Sequence, residues 1–297
     1  MAEAGSATRV LDLRLPSPVE ELHDEVVARH DVSLYLKRDD LIHPEIPGNK
    51  WRKLKYNLSA AADLGHDTLL TFGGAYSNHI RATAAAGHYF GFSTIGVIRG
   101  EEHSPLNPSL AYASGRGMRL VYLDRAAYRR KDSEEIVRAL RERFGNFYLL
   151  PEGGSNELAA QGCSEIPREI DLDFDVMCCP CGTGGTLAGI AAGLRAGQRA
   201  IGFSALKGGQ FLAAEVDELQ RRAFGAGSGN WTIEFDFHCG GYARKSLELQ
   251  AFIDAFKRRH GLVLDWIYVA KMMYGIFALA RKGTLAPGTR VIAVITG

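Results

Sequence analysis

Strands that alternate with helices along the whole chain predict an α/β fold, in which a parallel sheet is covered by helices on both faces. Two further observations support that class. Segments such as Thr68-Leu69-Leu70-Thr71-Phe72 and Val176-Met177-Cys178-Cys179 are short and nearly continuous in apolar character, as buried strands are. Three strands lead into glycine-rich turns, and ligands of open α/β sheets gather beyond the carboxyl ends of strands, where such turns lie. At 297 residues the chain is long for one domain, so two lobes are expected.

Ala2 to Ala7 is small and polar and reads as a frayed terminus. Val32-Ser33-Leu34-Tyr35-Leu36 alternates like a strand and runs into the charged loop Lys37-Arg38-Asp39-Asp40. Pro47-Gly48 is turn chemistry, and Trp51, Leu54, Asn57 and Leu58 have helical spacing, so a helix opens here and continues through Ala60 and Ala61. Lys50 stands at its mouth, and Lys53, one turn on, faces the same side. The positive character of a helix N-terminus disfavours an ammonium there and brings the neutral amine within reach. A basic, solvated first turn is the plainer reading of the same residues.

The strand Thr68 to Phe72 is broken by Gly73-Gly74, and Ala82-Thr83-Ala84-Ala85-Ala86 reads as a tightly packed helix. A strand at Ser93 to Ile98, a helix from Asn107 to Arg116 and a strand at Arg119 to Leu123 follow. Ser133 to Phe144 is an amphipathic helix that opens on Ser133-Glu134-Glu135 and stops at Gly145. Phe147 to Leu150 is a short strand, and Pro151-Glu152-Gly153-Gly154-Ser155-Asn156 a turn-rich joint. Beyond it come the strand at Val176 to Cys179, a helix from Leu187 to Leu194, and strands at Ile201 to Ser204, Trp231 to Phe237 and Arg290 to Ile295.

Composition removes several classes. The net charge is only +1, which argues against a nucleic-acid or membrane-surface partner. No apolar stretch is long enough to span a bilayer, and Met1-Ala2-Glu3-Ala4-Gly5 lacks a basic-then-apolar signal pattern, so a cytoplasmic protein is expected. An odd set of 5 cysteines speaks against a disulfide framework. Cys178-x-x-Cys181 has no second pair or nearby histidines to complete a zinc set, and core thiols are the expectation, with no metal.

Among the glycine-rich turns, Cys181-Gly182-Thr183-Gly184-Gly185-Thr186 lies between a buried strand and a helix, where backbone amides can close on an anion. Leu187 occupies the third glycine position of a dinucleotide fingerprint and no Walker lysine follows, so neither of those motifs is present. A phosphate site and a tight structural turn both remain open. Gly73-Gly74-Ala75-Tyr76-Ser77-Asn78-His79 sets Ser77 and Asn78 at a helix start, where they can hold a carboxylate or hydroxyl, or simply cap the helix. Glu152-Gly153-Gly154-Ser155-Asn156 allows the same two readings.

Five motifs occur in a fixed order: Gly48-Asn49-Lys50-x-Arg52-Lys53-Leu54; Gly73-Gly74-x-x-Ser77-Asn78-His79-x-Arg81-x-Thr83-Ala84-Ala85; Gly182 to Thr186; Gly240-Gly241-Tyr242; and Asp265-x-Ile267-Tyr268-x-x-Lys271-Met272-Met273-x-Gly275. With these the chain closely resembles the pyridoxal-phosphate family that contains D-cysteine desulfhydrase and 1-aminocyclopropane-1-carboxylate deaminase. The resemblance covers nearly the whole chain. It implies the tryptophan synthase β-like fold (fold type II), with two open, twisted, mainly parallel sheets flanked by helices. It also implies a large cofactor lobe of residues 1–50 and 156–297 and a small inserted lobe of residues 51–155.

The resemblance further implies pyridoxal 5′-phosphate as cofactor, a small amino acid as substrate and a homodimer. It makes Lys50 the Schiff-base lysine and sends Lys53 to the phosphate, cradled by Gly182, Thr183, Gly184, Gly185 and Thr186. Asn78 would bond the cofactor's phenolic oxygen, Ser77 would hold the substrate carboxylate, Tyr242 and Tyr268 would line the pocket, and Thr296 would face the pyridine nitrogen. Two departures stand out. Tyr76 replaces the usual glutamine, and the sequence ends at Thr296-Gly297 where relatives continue, which raises the expectation of a loosened Thr296. Family deaminases carry a glutamate directly after the tyrosine matched by Tyr268, whereas Val269 stands there in this chain. A neutral partner at Thr296 and no glutamate favour α,β-elimination on D-cysteine or a close β-substituted amino acid. Cyclopropane ring opening, or cofactor binding with little catalysis, are the alternatives.

Overall fold

In the computed structural model, which describes residues 11–102 and 104–296, the chain forms two separate, mainly parallel sheets. The polar start expected to fray, Ala2 to Ala7, lies outside the described residues. β1 (Val19–Glu21), a short α1 (Glu25–Ala28) and β2 (Ser33–Lys37) begin the larger sheet. α2 (Asn49–Asp63) leaves it, followed by β3 (Thr68–Gly73), α3 (Asn78–Phe90), β4 (Ser93–Arg99), α4 (Pro108–Gly115), β5 (Arg119–Leu123), α5 (Arg125–Arg129), α6 (Glu134–Phe144) and β6 (Tyr148–Leu150). α7 (Glu157–Cys163) leads back to β7 (Val176–Cys181), α8 (Gly185–Gly193), β8 (Arg199–Ser204), α9 (Leu212–Phe224), β9 (Trp231–Glu234), α10 (Leu247–His260), α11 (Val269–Arg281) and β10 (Arg290–Val294).

The larger sheet has the order β1-β2-β10-β7-β8-β9 and the smaller β5-β4-β3-β6; every pairing is parallel except that of β1 with β2. Side chains of a strand alternate between faces. Val176 and Cys178 of β7 therefore join the core under α1, α10 and α11, whereas Met177, Cys179 and Cys181 join the opposite core against α7, α8 and α9. All three of these cysteines are buried in the strand, as core thiols. In β3, Leu69 packs toward α2 and α3, while Leu70 and Phe72 pack on the other face with Tyr128, Leu140 and Phe147.

Differences from the sequence expectation have local causes. The strand expected at Trp231 to Phe237 stops at Glu234, because β9 pairs only with β8 and its last partner there is Phe203. α7, α9, α10 and α11 were not anticipated. α11 is buried from Val269 to Met273 and from Gly275 to Ala280, which leaves Tyr274 and Arg281 as its less buried positions.

A buried ion cluster fixes the start of α2. Arg52, fully buried, donates from Nη2 to Asp39 Oδ1 at 3.1 Å and to Glu169 Oε2 at 2.8 Å. Lys37 Nζ adds bonds to Glu169 Oε2 at 2.7 Å and to the Ser17 carbonyl at 2.8 Å. Ser17 Oγ completes the set with a 2.6 Å bond to Asp39 Oδ1. These contacts join β2, α2 and the segment before β7 directly behind the Lys50 turn.

Candidate functional site

The carboxyl ends of β3, β7 and β10 and the first turns of α2, α3 and α8 converge on one cavity. Its narrow inner part, about 70 Å³, is lined by Lys50, Lys53, Ser77, Asn78, His79, the loop Gly182 to Gly184, Thr186, Tyr268 and Thr296. Ser77, Gly153, Gly182, Thr183 and Tyr268 also line a wider chamber of about 790 Å³, whose wall includes Tyr242. Of the site residues read from the sequence, all but Gly185 line one or both of these adjoining spaces; Gly185 lies beneath the loop, where a Cβ would sit 2.5 Å from Ser155 Oγ.

Lys50 is aimed by the turn before it. Gly48 has φ +59°, and a Cβ on it would sit 1.7 Å from the Thr296 carbonyl oxygen, so only glycine fits between the strand end and the helix. Its N–H donates to the Asp39 carbonyl at 2.8 Å. Lys50 Nζ donates to Asn49 Oδ1 at 2.6 Å, and Asn49 Nδ2 donates to Thr186 Oγ1 at 2.8 Å, which ties the amine to the start of α8. Removal from water, followed by the nearby Lys53 charge, lowers the Lys50 amine to about 7. A substantial neutral fraction at physiological pH is what a nucleophilic amine requires.

Lys53 is buried and donates to the Gly153 carbonyl at 3.0 Å and to Ser155 Oγ at 2.9 Å; Ser155 Oγ lies 2.6 Å from Thr183 Oγ1. Burial lowers its ionisation as well. The loop it borders runs from β7 into α8, with Gly184 at φ +73° and only 2.6 Å of room between a would-be Cβ and Val216. The Ala188 N–H donates to the Gly184 carbonyl at 2.9 Å, so the amides of Gly185, Thr186 and Leu187 precede the first helical donor and are available to an anion.

Ser77 caps α3 by accepting the Ile80 N–H at 3.4 Å, and Asn78 is the first residue of that helix. His79, next along, is almost fully buried. Thr71 Oγ1 gives its proton to the Leu150 carbonyl at 3.0 Å, so the 2.9 Å contact to His79 requires that Nε2–H donate to Thr71. Nδ1 is then a bare acceptor, buried and without a hydrogen-bond partner among the described residues. Burial, then Lys50 and Lys53, push this imidazole down to about 3, so it is neutral.

On the opposite wall, Asp265 accepts the N–H groups of Ile267 at 3.2 Å and Tyr268 at 2.8 Å, which holds Tyr268 at the entry to α11. The rings of Tyr242 and Tyr268 lie 6.0 Å apart, and burial raises both phenols, so each carries its proton at neutral pH. Lys271, buried beneath, donates to the Gly241 carbonyl at 2.7 Å and to that of Ala205 at 3.4 Å, fixing the turn that presents Tyr242. Val269 is buried in the core. Thr296 is 3% exposed and packed against Gly48, contrary to the expected loosening. Tyr76 is 59% exposed and lines an outer cleft rather than the inner cavity.

These donors suit pyridoxal phosphate: a partly neutral lysine for its aldehyde, amides at a helix N-terminus with a second lysine for its phosphate, and a hydroxyl for its ring. Sequence reasoning assigned no role to Asn49, His79 and Asp265, although each stands inside one of the five motifs, and it left Ser155 between a ligand contact and a helix cap.

Comparison with known proteins agrees with this chemistry. The family model described as pyridoxal-phosphate dependent enzyme matches residues 10–297. The 1-aminocyclopropane-1-carboxylate deaminase of Rhizobium leguminosarum bv. viciae is 30% identical over 93% of this chain and 90% of its own. The mitochondrial bifunctional D-cysteine desulfhydrase/1-aminocyclopropane-1-carboxylate deaminase of Arabidopsis thaliana is 29% identical over 95% of this chain and 76% of its own. The crystal structure of an ACC deaminase homologue superposes with a TM-score of 0.85 at 29% identity, covering 97% of this chain and 91% of that one.

Proposed function

The chain belongs to the pyridoxal-phosphate-dependent enzymes, and on that premise we propose a lyase that performs α,β-elimination on D-cysteine or a close β-substituted amino acid, yielding pyruvate, ammonia and sulfide. Val269 carries the choice of reaction. An apolar residue buried directly after Tyr268 supplies no carboxylate near the ring, and Thr296 offers only a neutral hydroxyl. Elimination of a good β-leaving group makes the smaller demand on electron withdrawal.

When bound, pyridoxal phosphate supplies the electron sink for the negative charge that develops at Cα. The chain's own residues do the rest. Ser77 and Asn78, at the positive end of α3, would hold the substrate carboxylate, and Asn78 would also bond the phenolic oxygen of the ring. Lys50 Nζ, oriented by Asn49, removes the α-proton, a role that requires hydrogen-bond reach. The protonated phenols of Tyr242 and Tyr268 border the leaving sulfur and can donate to it. Lys53 and the Gly182 to Thr186 loop would hold the phosphate, and Thr296 would face the pyridine nitrogen. We assign residues 51–155 to a small inserted lobe and 1–50 with 156–297 to the cofactor lobe; the four-stranded sheet falls within the first interval in support. A cytoplasmic homodimer acting on a small amino acid, without nucleic-acid or membrane partners, is the setting this family resemblance suggests. Among the described residues no helix is long and apolar enough to cross a membrane.

Ring opening is the second reading, favoured by the deaminase name of the Rhizobium relative. Sulfide and keto-acid release from D- and L-cysteine, measured beside α-ketobutyrate release from 1-aminocyclopropane-1-carboxylate, separates the two. Sulfide from D-cysteine is expected; efficient ring opening without sulfide would sink the elimination reading.

Lys53→Met tests the anion site. Loss of a hydrogen bond to a charged group costs about 1.5–3 kcal/mol, so cofactor affinity should fall roughly tenfold to a hundredfold. Titration with pyridoxal phosphate beside a thermal melt reads this directly, and unchanged affinity in a folded variant would remove Lys53 from the phosphate.

A further inference from the structure

The wide chamber has a charge pattern that a cysteine thiol leaves unused. Its inner end is lined by Ser77, Gly182 and Tyr268, and it widens past Arg99 and Tyr242 into an outer cleft of about 1100 Å³. The chamber of about 790 Å³, which has to take much of the cofactor as well, opens into the outer cleft and so gives a β-substituent room to extend beyond Cβ. Its acidic groups are mostly engaged. Glu152 accepts the Tyr128 hydroxyl at 2.9 Å and pairs with Lys131 at 3.3 Å, and Asp132 pairs with the same lysine at 3.0 Å. On the α9 wall, Glu215 lies in the same lining as Arg222, which pairs with Glu157 at 3.2 Å. The outer cleft adds Arg125, Arg129 and Arg244 against Glu101.

Arg99 stands at the junction of both spaces, at the end of β4. Its guanidinium lies 5.9 Å from the ring centre of Tyr128, which Glu152 in turn anchors, and 3.7 Å from where a Cβ on Gly74 would be. Among the described residues it makes no ion pair and no side-chain hydrogen bond. It is therefore positioned without being neutralised, on the side of the chamber that begins at the Gly73-Gly74 turn. A guanidinium so held can take a carboxylate through two parallel bonds.

We propose that this site takes amino acids whose β-substituent ends in an anionic group, and that Arg99 is the residue that binds that anion. The inference rests on the elimination reading above and specifies its substrate class. The reaction balances as X–CH2–CH(NH3+)–COO− plus water giving pyruvate, ammonium, X− and a proton. The Cα–H bond breaks with its proton passing to Lys50 Nζ, and the Cβ–X bond breaks with its electron pair leaving on X. Water then replaces nitrogen at the released imino acid. Arg99 acts only on the far end of X.

S-carboxymethyl-cysteine and S-carbamoylmethyl-cysteine have the same size and differ by one charge, and elimination from either releases a thiol that a disulfide reagent detects. For the holoenzyme, kcat/KM on the acid should exceed that on the amide by about tenfold or more. Arg99→Gln should bring the ratio close to one, and Arg99→Lys should restore part of it. Equal rates on the two compounds in the unmodified enzyme would overturn the proposal. So would a ratio unaffected by Arg99→Gln; an equal loss on both compounds would make Arg99 a handle for the α-carboxylate instead. Calorimetric binding of both compounds to the holoenzyme reads the same contrast without turnover. Selective binding with no thiol or sulfide from any substrate, D-cysteine included, would refute the reaction and leave the anion subsite standing.

Discussion

Replacing Lys50 by alanine should abolish thiol and keto-acid release, with a loss of about 10³-fold or more, because the variant lacks both the attacking amine and the general base. Borohydride treatment of the native holoenzyme followed by peptide mapping should fix the cofactor on Lys50. Label on Lys53 or Lys271 would overturn the assignment. The environment of Lys50 adds a sharper expectation. An amine lowered to about 7 is neutral above that pH, so the rate at which the cofactor-free protein captures pyridoxal phosphate should climb through neutrality and level off well below the range of an ordinary lysine. A midpoint near that of free lysine would show that burial and Lys53 do not tune this group.

The second large effect is on stability. Arg52→Met leaves Asp39 without its buried cationic partner and Glu169 with Lys37 alone, and breaking a buried pair from one side costs about 3–5 kcal/mol. Urea denaturation at neutral pH should report a loss of that order. The same cluster sets the response to acid. Burial alone would raise the Glu169 carboxyl, but Arg52 and Lys37 outweigh it and hold it at about 2. A carboxylate lowered on folding contributes stability that is present above its ordinary value of 4.5 and is lost as pH falls toward 2. Denaturation midpoints should therefore decline through that window in the native chain and decline less steeply in Arg52→Met. Parallel declines in the two would detach Glu169 from the acid response.

Much of this was legible in the sequence because it is local. Pro47-Gly48 and the spacing of Trp51, Leu54 and Leu58 announce a helix with two lysines on one side, and the apolar runs announce the strands. α9 and α10 also carry readable stripes, Leu212, Val216 and Leu219 in one and Leu249, Phe252 and Phe256 in the other, that went unread. α11 carries a stripe as well, broken only by Tyr274 and Arg281 on its less buried side. The anchors of the site lie beyond any local pattern. Asn49 meets Thr186, Lys53 meets Ser155, Arg52 meets Glu169 and Lys271 meets Gly241 only because the topology folds distant segments together. Gly184 is constrained in the same non-local way, so a valine there would not test the anion site by itself. The positive φ and the contact with Val216 would strain the turn whether or not an anion binds there.

The place of β10 between β2 and β7 carries a consequence for biosynthesis. A nascent chain holds every strand of the smaller sheet once residue 150 has been made, and those strands can pair at once. The larger sheet has an inner strand at residues 290–294, so β2 and β7 have nothing to join them until residue 294 has been made. Thr296, whose main chain confines Gly48, arrives later still. The turn that aims the reactive amine is therefore closed only once residue 296 has been made and has packed against Gly48, so a shorter nascent chain carries Lys50 without its orienting contact.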